Sequence, residues 1–542
     1  MISVTPQGSV YLCKTPLEND YKNQLTFANA TAQQNYFASK VFKTETDYTY
    51  IKKDNTITVG YPIDEIITCN YLFYKNTGFT NKYYYCFITD MEYVNENATR
   101  LTIETDVYQT FMFDIVKKAC FVEREHVNDD TIGNNTVPEG LDTGEYVVNN
   151  ITSIGYETTG NPETRVVIGV TKVPEDMYSS FATTARNYNG IFSGLTYYVF
   201  ETNTDAAIFL TVMDLTGLAD NVVNVFLAPN KLCNNATWVS YTETILDWGG
   251  TQLDLTFKYN KIPTESTERV LKDSTTISIN STLNGYTPKN NKMFTKDYNY
   301  LHFTNNNGGD LNLAYEDFVN NTPIVRVIGA ICPGCSIRLI PENYKKYSTS
   351  STKNVLMEYG LVGGKYPVCS WRTDTYTNWL TQNSVNYTLD KVGTMVGVGV
   401  AMAVNPSVAL LGGVGIISDL LQEKEKREKS PIQAKGNVNV GDVTYSSGMN
   451  KFTYSQMSCR YEYAKRIDDY FSTFGYKVNE VKIPNTTGRL NWNYVKTVDC
   501  NFEGDIPQIY LNKIKEIFNK GITLWHNAST MLDYTQSNTI VS

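Results

Sequence analysis

The sequence predicts a mainly β chain of several domains with an α+β part at its C-terminal end. Three observations carry this. Tyrosine is unusually abundant at 40 residues, with Thr and Asn frequent throughout; Tyr, Thr and Phe suit a pleated, half-buried surface, whereas Asn marks turns. Short alternating apolar stretches dominate the first part of the chain. Helical spacing at i, i+3, i+4 is clear in only two places, both close to the C-terminus. At 542 residues the chain has room for two to four domains, and its β regions are expected to close as sandwiches or barrels.

Taken in order, Asn81–Val94 (NKYYYCFITDMEYV) and Arg100–Val107 (RLTIETDV) read as hairpin partners joined by the polar turn NENAT. Thr105–Ile115 (TDVYQTFMFDI) alternates, which would place Val107, Phe111, Phe113 and Ile115 on one strand face. After Phe121–Val127 the polar run NDDTIGNNTVPEG reads as a domain boundary. Arg165–Val173 and Thr322–Ile331 are further strands in a central β-rich region, 128–330, followed by a mixed, tyrosine-rich connection, 331–390.

Near the C-terminus, MSCRYEYAKRIDDYFSTFG reads as a helix with Met457, Tyr461, Ala464, Ile467, Phe471 and Phe474 on one side and Gly475 just past its end. GDIPQIYLNKIKEIFNKG reads as a second helix, started by Asp505 and Pro507, lined by Leu511, Ile514, Ile517 and Phe518, and ended by Gly521. YKVNEVKIP and NWNYVKTVDCNF between them read as strands.

The most informative stretch is Val392–Ser418, 27 consecutive positions without an ionisable side chain, in a chain whose mean hydropathy is −0.32. The candidate functional residues are Val392, Gly393, Met395, Val396, Gly397, Val398, Val400, Met402, Val404, Asn405, Pro406, Val408, Leu410, Leu411, Val414, Ile416, Ile417, Leu420 and Leu421. As one helix the stretch would run about 40 Å, enough for a bilayer core of about 30 Å. Asn405-Pro406 interrupts it, however, and six glycines lower its helix propensity. The arms left, Val392–Val404 and Val408–Leu420, are each too short to span alone. Composition leaves three readings open: a buried glycine-rich hairpin, a segment stored and later pushed into lipid, or a permanent anchor. The run EKEKREK after it is nearly neutral and reads as a solvated helical end.

Several function classes are disfavoured. A net charge of −9 argues against a nucleic-acid binder, which needs a basic face, but suits a surface past which DNA must slide. The three histidines, His126, His302 and His526, form no ligand-spaced pair; each is expected to be structural. Cys332-Pro-Gly-Cys335 is a lone CxxC, expected to be a strand-end turn, and Gly360–Tyr366 (GLVGGKY) fails the phosphate-loop spacing. No catalytic residue, metal site or cofactor is assigned. The ten cysteines show no disulfide-framework spacing and are expected to be buried thiols. The N-terminus lacks a basic and apolar signal region, which implies synthesis and folding in a cytoplasm.

Several blocks, in order, resemble the tail knob proteins of short-tailed phages of the Picovirinae or Salasmaviridae type: TDVYQTFMFDI with FVEREHV, then YFSTFGYKVNEVKIPN, NYVKTVDC, and GDI with EIFNKGITLWH. The resemblance implies a homohexameric distal tail tube. Residues 1–127 and 450–542 would build its wall, and the centre would protrude outward. The 391–449 region would be a hydrophobic loop that plugs the lumen and is released into the host cytoplasmic membrane during genome ejection. Implied partners are a lower collar or connector protein, a tail tip protein, double-stranded DNA passing without sequence-specific binding, membrane lipid and host cell-wall polymer. The alternative from the binding class is a cell-wall adhesin without pore activity, whose Tyr- and Asn-rich centre contacts the polymer.

Overall fold

The computed structural model describes residues 8–46, 48–51, 53–76, 82–154, 164–178, 187–188, 191–192, 195–233, 237–246, 252–261, 269–329, 331, 334–345, 360–366, 368–370, 437–438 and 451–541. The chain is mostly strand and falls into two compact units. The first joins both ends of the chain, Met1–Tyr146 and Cys459–Ser542, with the internal stretch Ser281–Tyr298; the second holds Val147–Asn280 and Asn299–Ser458.

The first unit is built on a seven-stranded antiparallel sheet in the order Val41–Glu45, Gly8–Cys13, Tyr71–Asn76, Tyr83–Asn95, Ala98–Thr105, Thr56–Val59, Thr49–Ile51. Both of its faces are covered, so apolar residues follow one another without polar alternation. Tyr71, Phe73, Tyr85 and Phe87 enter an aromatic core on one side, while Leu72, Cys86, Leu101 and Ile103 enter an aliphatic core on the other. The aromatic core also takes Leu511, Ile514, Ile517 and Phe518 from the helix Gln508–Lys520, with Trp492 and Trp525. The N- and C-terminal parts therefore share one core. A five-stranded sheet interleaves them further: Asn23–Leu25, Ile522–Trp525, Trp492–Val498, Cys120–Glu125, Tyr476–Lys482, antiparallel except for the first pair.

The expected hairpin is present, with Asn95 opposite Ala98. Gly475 (φ 65°) and Gly521 (φ 97°) both end their helices in backbone conformations that favour glycine, donating back to Phe471 and Ile517 respectively. Two expectations are corrected. Thr105–Ile115 is not a strand: Asp106 accepts hydrogen bonds from the Tyr108 and Gln109 N–H groups (3.1 and 3.0 Å) and starts a one-turn helix, Val107–Phe111. An N-cap aspartate satisfies helical donors that alternation leaves unpaired, and Phe113 consequently points outward at 45 % exposure. The helix expected from Met457 begins only at Tyr461, because Phe452–Cys459 is a strand whose Met457 lies opposite Tyr300. Tyr461 is exposed, not part of the helix's buried stripe.

The polar run 128–140, read as a boundary, folds into the first unit. The Glu139 side chain is fully buried between Arg124 and Lys292, with its Oε1 2.5 Å from the Lys292 Nζ and also accepting from the Lys477 N–H. Asp468, equally buried, accepts from Tyr286 Oη, the Lys289 and Asn290 N–H groups and Asn290 Nδ2 at 2.7–3.1 Å. Asp468 holds Ser281–Tyr298 against the helix Tyr461–Phe474, and Glu139 ties the same stretch to the strands Cys120–Glu125 and Tyr476–Lys482.

Three sheets of the second unit pack around a shared core. The largest has seven strands in the order Val239–Leu246, Gln252–Lys261, Thr196–Phe200, Thr164–Val170, Val222–Pro229, Val368–Ser370, Asn437–Val438. Two four-stranded sheets accompany it: Arg269–Thr276, Ile324–Gly329, Ser336–Pro341, Leu361–Lys365, and Tyr146–Ile154, Phe452–Cys459, Asn299–Thr304, Asp310–Ala314. Val167, Val199 and Phe226 of the large sheet pack with Val327, Leu339, Leu301 and Phe452 of the smaller ones. The helix Asn203–Leu215 covers the opposite face of the large sheet through Phe209, Val212 and Met213, which meet Phe200 and Phe257.

Candidate functional site

The nineteen candidate residues between Val392 and Leu421 lie outside the described residues, as do Cys332 and the run EKEKREK. What is described is the seat from which that part of the chain departs and to which it returns. Val368–Ser370 adds to the edge of the large sheet, with Phe226 opposite Val368, Val225 opposite Cys369 and Asn224 opposite Ser370. Asn437–Val438 then pairs antiparallel with the same short strand, Cys369 opposite Val438 and Ser370 opposite Asn437. Residues 371–436 thus leave and re-enter at adjacent positions of one sheet.

The seat is closely packed on its inner side. One row crosses five strands: Tyr197, Gly169, Asn224, Ser370, Asn437. Gly169 is required there by space, because a Cβ would stand 2.6 Å from Asn224 Oδ1 and 2.7 Å from the Tyr197 ring. Just before the edge strand, Tyr366 is fully buried and its N–H donates to the Cys335 carbonyl (2.9 Å), while Cys335 Sγ donates to the Leu227 carbonyl (3.5 Å). The strand that carries the departing segment is therefore tied to two sheets at once. Sequence reasoning missed this seat because its strands are two and three residues long, too short to show a period.

Among the described residues no group of three or more His, Cys, Asp or Glu side chains could hold a metal ion, and no helix is long and apolar enough to cross a membrane. The eight cysteines whose side chains are described are buried thiols. His126 is buried, with Nδ1 accepting from the Tyr494 N–H (2.8 Å), which leaves its proton on Nε2 facing the Ser472 carbonyl (3.1 Å). Burial, aided by the Arg489 charge, moves its pKa down to about 3. Burial also lowers His526, whose Nε2 faces Asn493 Oδ1 (2.9 Å). His302 is held by Asn312 Oδ1 at 2.8 Å on a surface strand. Each histidine has a hydrogen-bonding role in the fold.

The comparisons with known proteins decide the family. The family model described as the Bacillus phage phi29 tail knob protein gp9, C-terminal domain, matches residues 258–539, more than half of the chain. The chain belongs to the phage tail knob family. A second model, the caudoviral major tail protein N-terminus, matches residues 8–117 of the knob. The knob is 27% identical to the tail knob protein gp9 of Bacillus phage B103, covering 97% of both chains. It is 25% identical to that of Bacillus phage phi29, over 95% of this chain and 96% of the relative. The solved tail knob protein gp12 of bacteriophage C1 shares its fold, with a TM-score of 0.65 at 14% identity, over 98% of this chain and all of the other. The knob is thus a structural protein of a virion tail, where it meets other tail proteins, and not an enzyme.

Proposed function

We propose that this tail knob forms a homohexameric distal tube for genome ejection, and that Val392–Leu421 plugs its lumen before entering the host cytoplasmic membrane. The observation that carries the reading is the seat. A 27-residue stretch without ionisable groups lies inside a segment whose two ends are fixed side by side in one sheet. Such a segment can change environment without disturbing the fold that holds it.

Six copies of the segment buried against one another in a lumen would hide an apolar surface that a lone copy would expose as an aggregation-prone patch. Lipid offers an equivalent refuge once the tube opens. There the backbone groups must still be satisfied internally, so the short arms have to pair or assemble. Close approach of neighbouring copies at Gly393 and Gly397 serves that assembly. The chain's net charge of −9 suits a conduit that does not retain DNA through phosphate contacts. The knob would join a lower collar or connector protein at one end and a tail tip protein at the other.

Deleting Val392–Leu421 tests the reading. The shortened knob is expected to assemble as the full chain does and to lose the ability to release dye from anionic liposomes. Loss of assembly would place the segment in the structural core, and undiminished leakage would move membrane activity elsewhere.

A further inference from the structure

A pair of thiols in the first unit has a chemistry that the tail knob reading does not use. Cys120 opens the strand Cys120–Glu125, and Cys500 follows the strand Trp492–Val498 to which it is paired. The register sets Phe121 opposite Val498. Cys120 is therefore opposite Asp499 and one residue from Cys500. Asp499 has φ 54°, a left-handed turn that ends the strand. Both residues are buried, at 5 and 6 % exposure, and Cys120 is among the neighbours that act on the Cys500 thiol. Asn519 Oδ1 accepts from the Cys500 N–H (3.0 Å) and from Thr497 Oγ1 (2.8 Å), which fixes the turn from the helix side.

We propose that Cys120 and Cys500 are an oxidation site that closes into a disulfide when the knob meets a small peroxide oxidant outside the reducing cytosol. A protein of a virion tail passes from the cytosol of its host to an external medium, and disulfides persist only in the second of these. Burial excludes bulky oxidants such as glutathione disulfide but not hydrogen peroxide. In the first step one thiolate attacks a peroxide oxygen, the O–O bond breaks, and a sulfenic acid forms as hydroxide leaves. In the second step the other thiolate attacks that sulfur, the S–S bond forms and the S–O bond breaks, releasing a second hydroxide. The two thiol protons convert both hydroxides to water, so two thiols and one peroxide give one disulfide and two waters. Burial holds the Cys500 thiol up at about 12, which keeps its thiolate scarce and slows the first step.

The bond would close a loop of about 380 residues. It would tie the N-terminal part of the first unit covalently to its C-terminal part, bypassing everything between them. Long loops lose the most unfolded-state freedom on closure, so the oxidised first unit would resist unfolding whatever happens to the second.

The test treats the full chain with hydrogen peroxide, blocks remaining thiols with N-ethylmaleimide under denaturing conditions, and maps digested peptides without reduction. The expected result is one cross-linked peptide joining Cys120 to Cys500, reversed by dithiothreitol, with maleimide labelling falling by two of the ten cysteines. The oxidised protein should melt at a higher temperature than the reduced one, and Cys500→Ser should abolish both the cross-link and this rise. Sulfinic or sulfonic acids at these positions without a cross-link would overturn the proposal, as would either residue pairing with another cysteine. Because the cross-link is read on the unmutated chain, the proposal stays testable if the serine variant folds poorly.

Discussion

At the scale of single residues, buried polar groups organise the first unit, and their effects on stability can be signed. His126 is held neutral, with its pKa near 3 in the fold against 6.5 unfolded. Between those values the unfolded chain binds a proton that the folded chain refuses, so stability falls as pH drops from about 6.5 towards 3. Asp106 runs the other way. Burial raises it to about 7, so the folded carboxyl keeps a proton that the unfolded one sheds, and its contribution is lost as pH rises from 3.8 through 7. Urea unfolding of the first unit followed across pH 3 to 6.5 should therefore be steeper for wild type than for His126→Gln, which removes the titrating ring. Asp468→Ala leaves several buried donors without a partner and is expected to cost about 3 kcal/mol or more in the same assay. None of these roles is legible in the sequence. The ion-pair partners of Glu139 lie 15 and 153 residues away, and local pattern carries no trace of them. Asp106 is the exception: an aspartate before a short apolar run is an N-cap signal, one that the strand reading of Thr105–Ile115 did not use.

At the scale of elements, legibility follows length and isolation. The helices Tyr461–Phe474 and Gln508–Lys520 were readable because each buries one stripe and ends on a glycine with a conformational reason to be there. The strands of the seven-stranded sheet in the first unit were only partly readable, since a sheet covered on both faces loses its polar alternation. The seat at Val368–Ser370 and Asn437–Val438 was invisible for want of length. It nevertheless makes a sharp prediction through Gly169. Gly169→Val should push Asn224 and Tyr197 out of their row and destabilise the sheet beneath the seat by about 2 kcal/mol, within the usual range for overpacking. Thermal melting and amide exchange of Val222–Pro229 measure this. Exchange in Ile522–Trp525 of the first unit should stay unchanged.

At the scale of the whole molecule, the sequence showed that the two ends of the chain belong together only through resemblance. The structure gives the physical reason, a shared aromatic core that takes Phe37, Tyr71 and Phe73 from one end and Trp492, Phe518 and Trp525 from the other. Trp525→Ala opens that core and is expected to cost about 3–5 kcal/mol. The loss should appear as failure of both termini to fold, read by protease resistance. The proposed role of Val392–Leu421, however, belongs to six such molecules together. Averaged electron microscopy of the purified knob in neutral buffer addresses it most directly, with the deletion variant alongside. A hollow sixfold ring wide enough for duplex DNA is expected, with density in its bore that disappears when Val392–Leu421 is removed. Monomers, solid particles, or a ring whose bore is the same with and without the segment would contradict it.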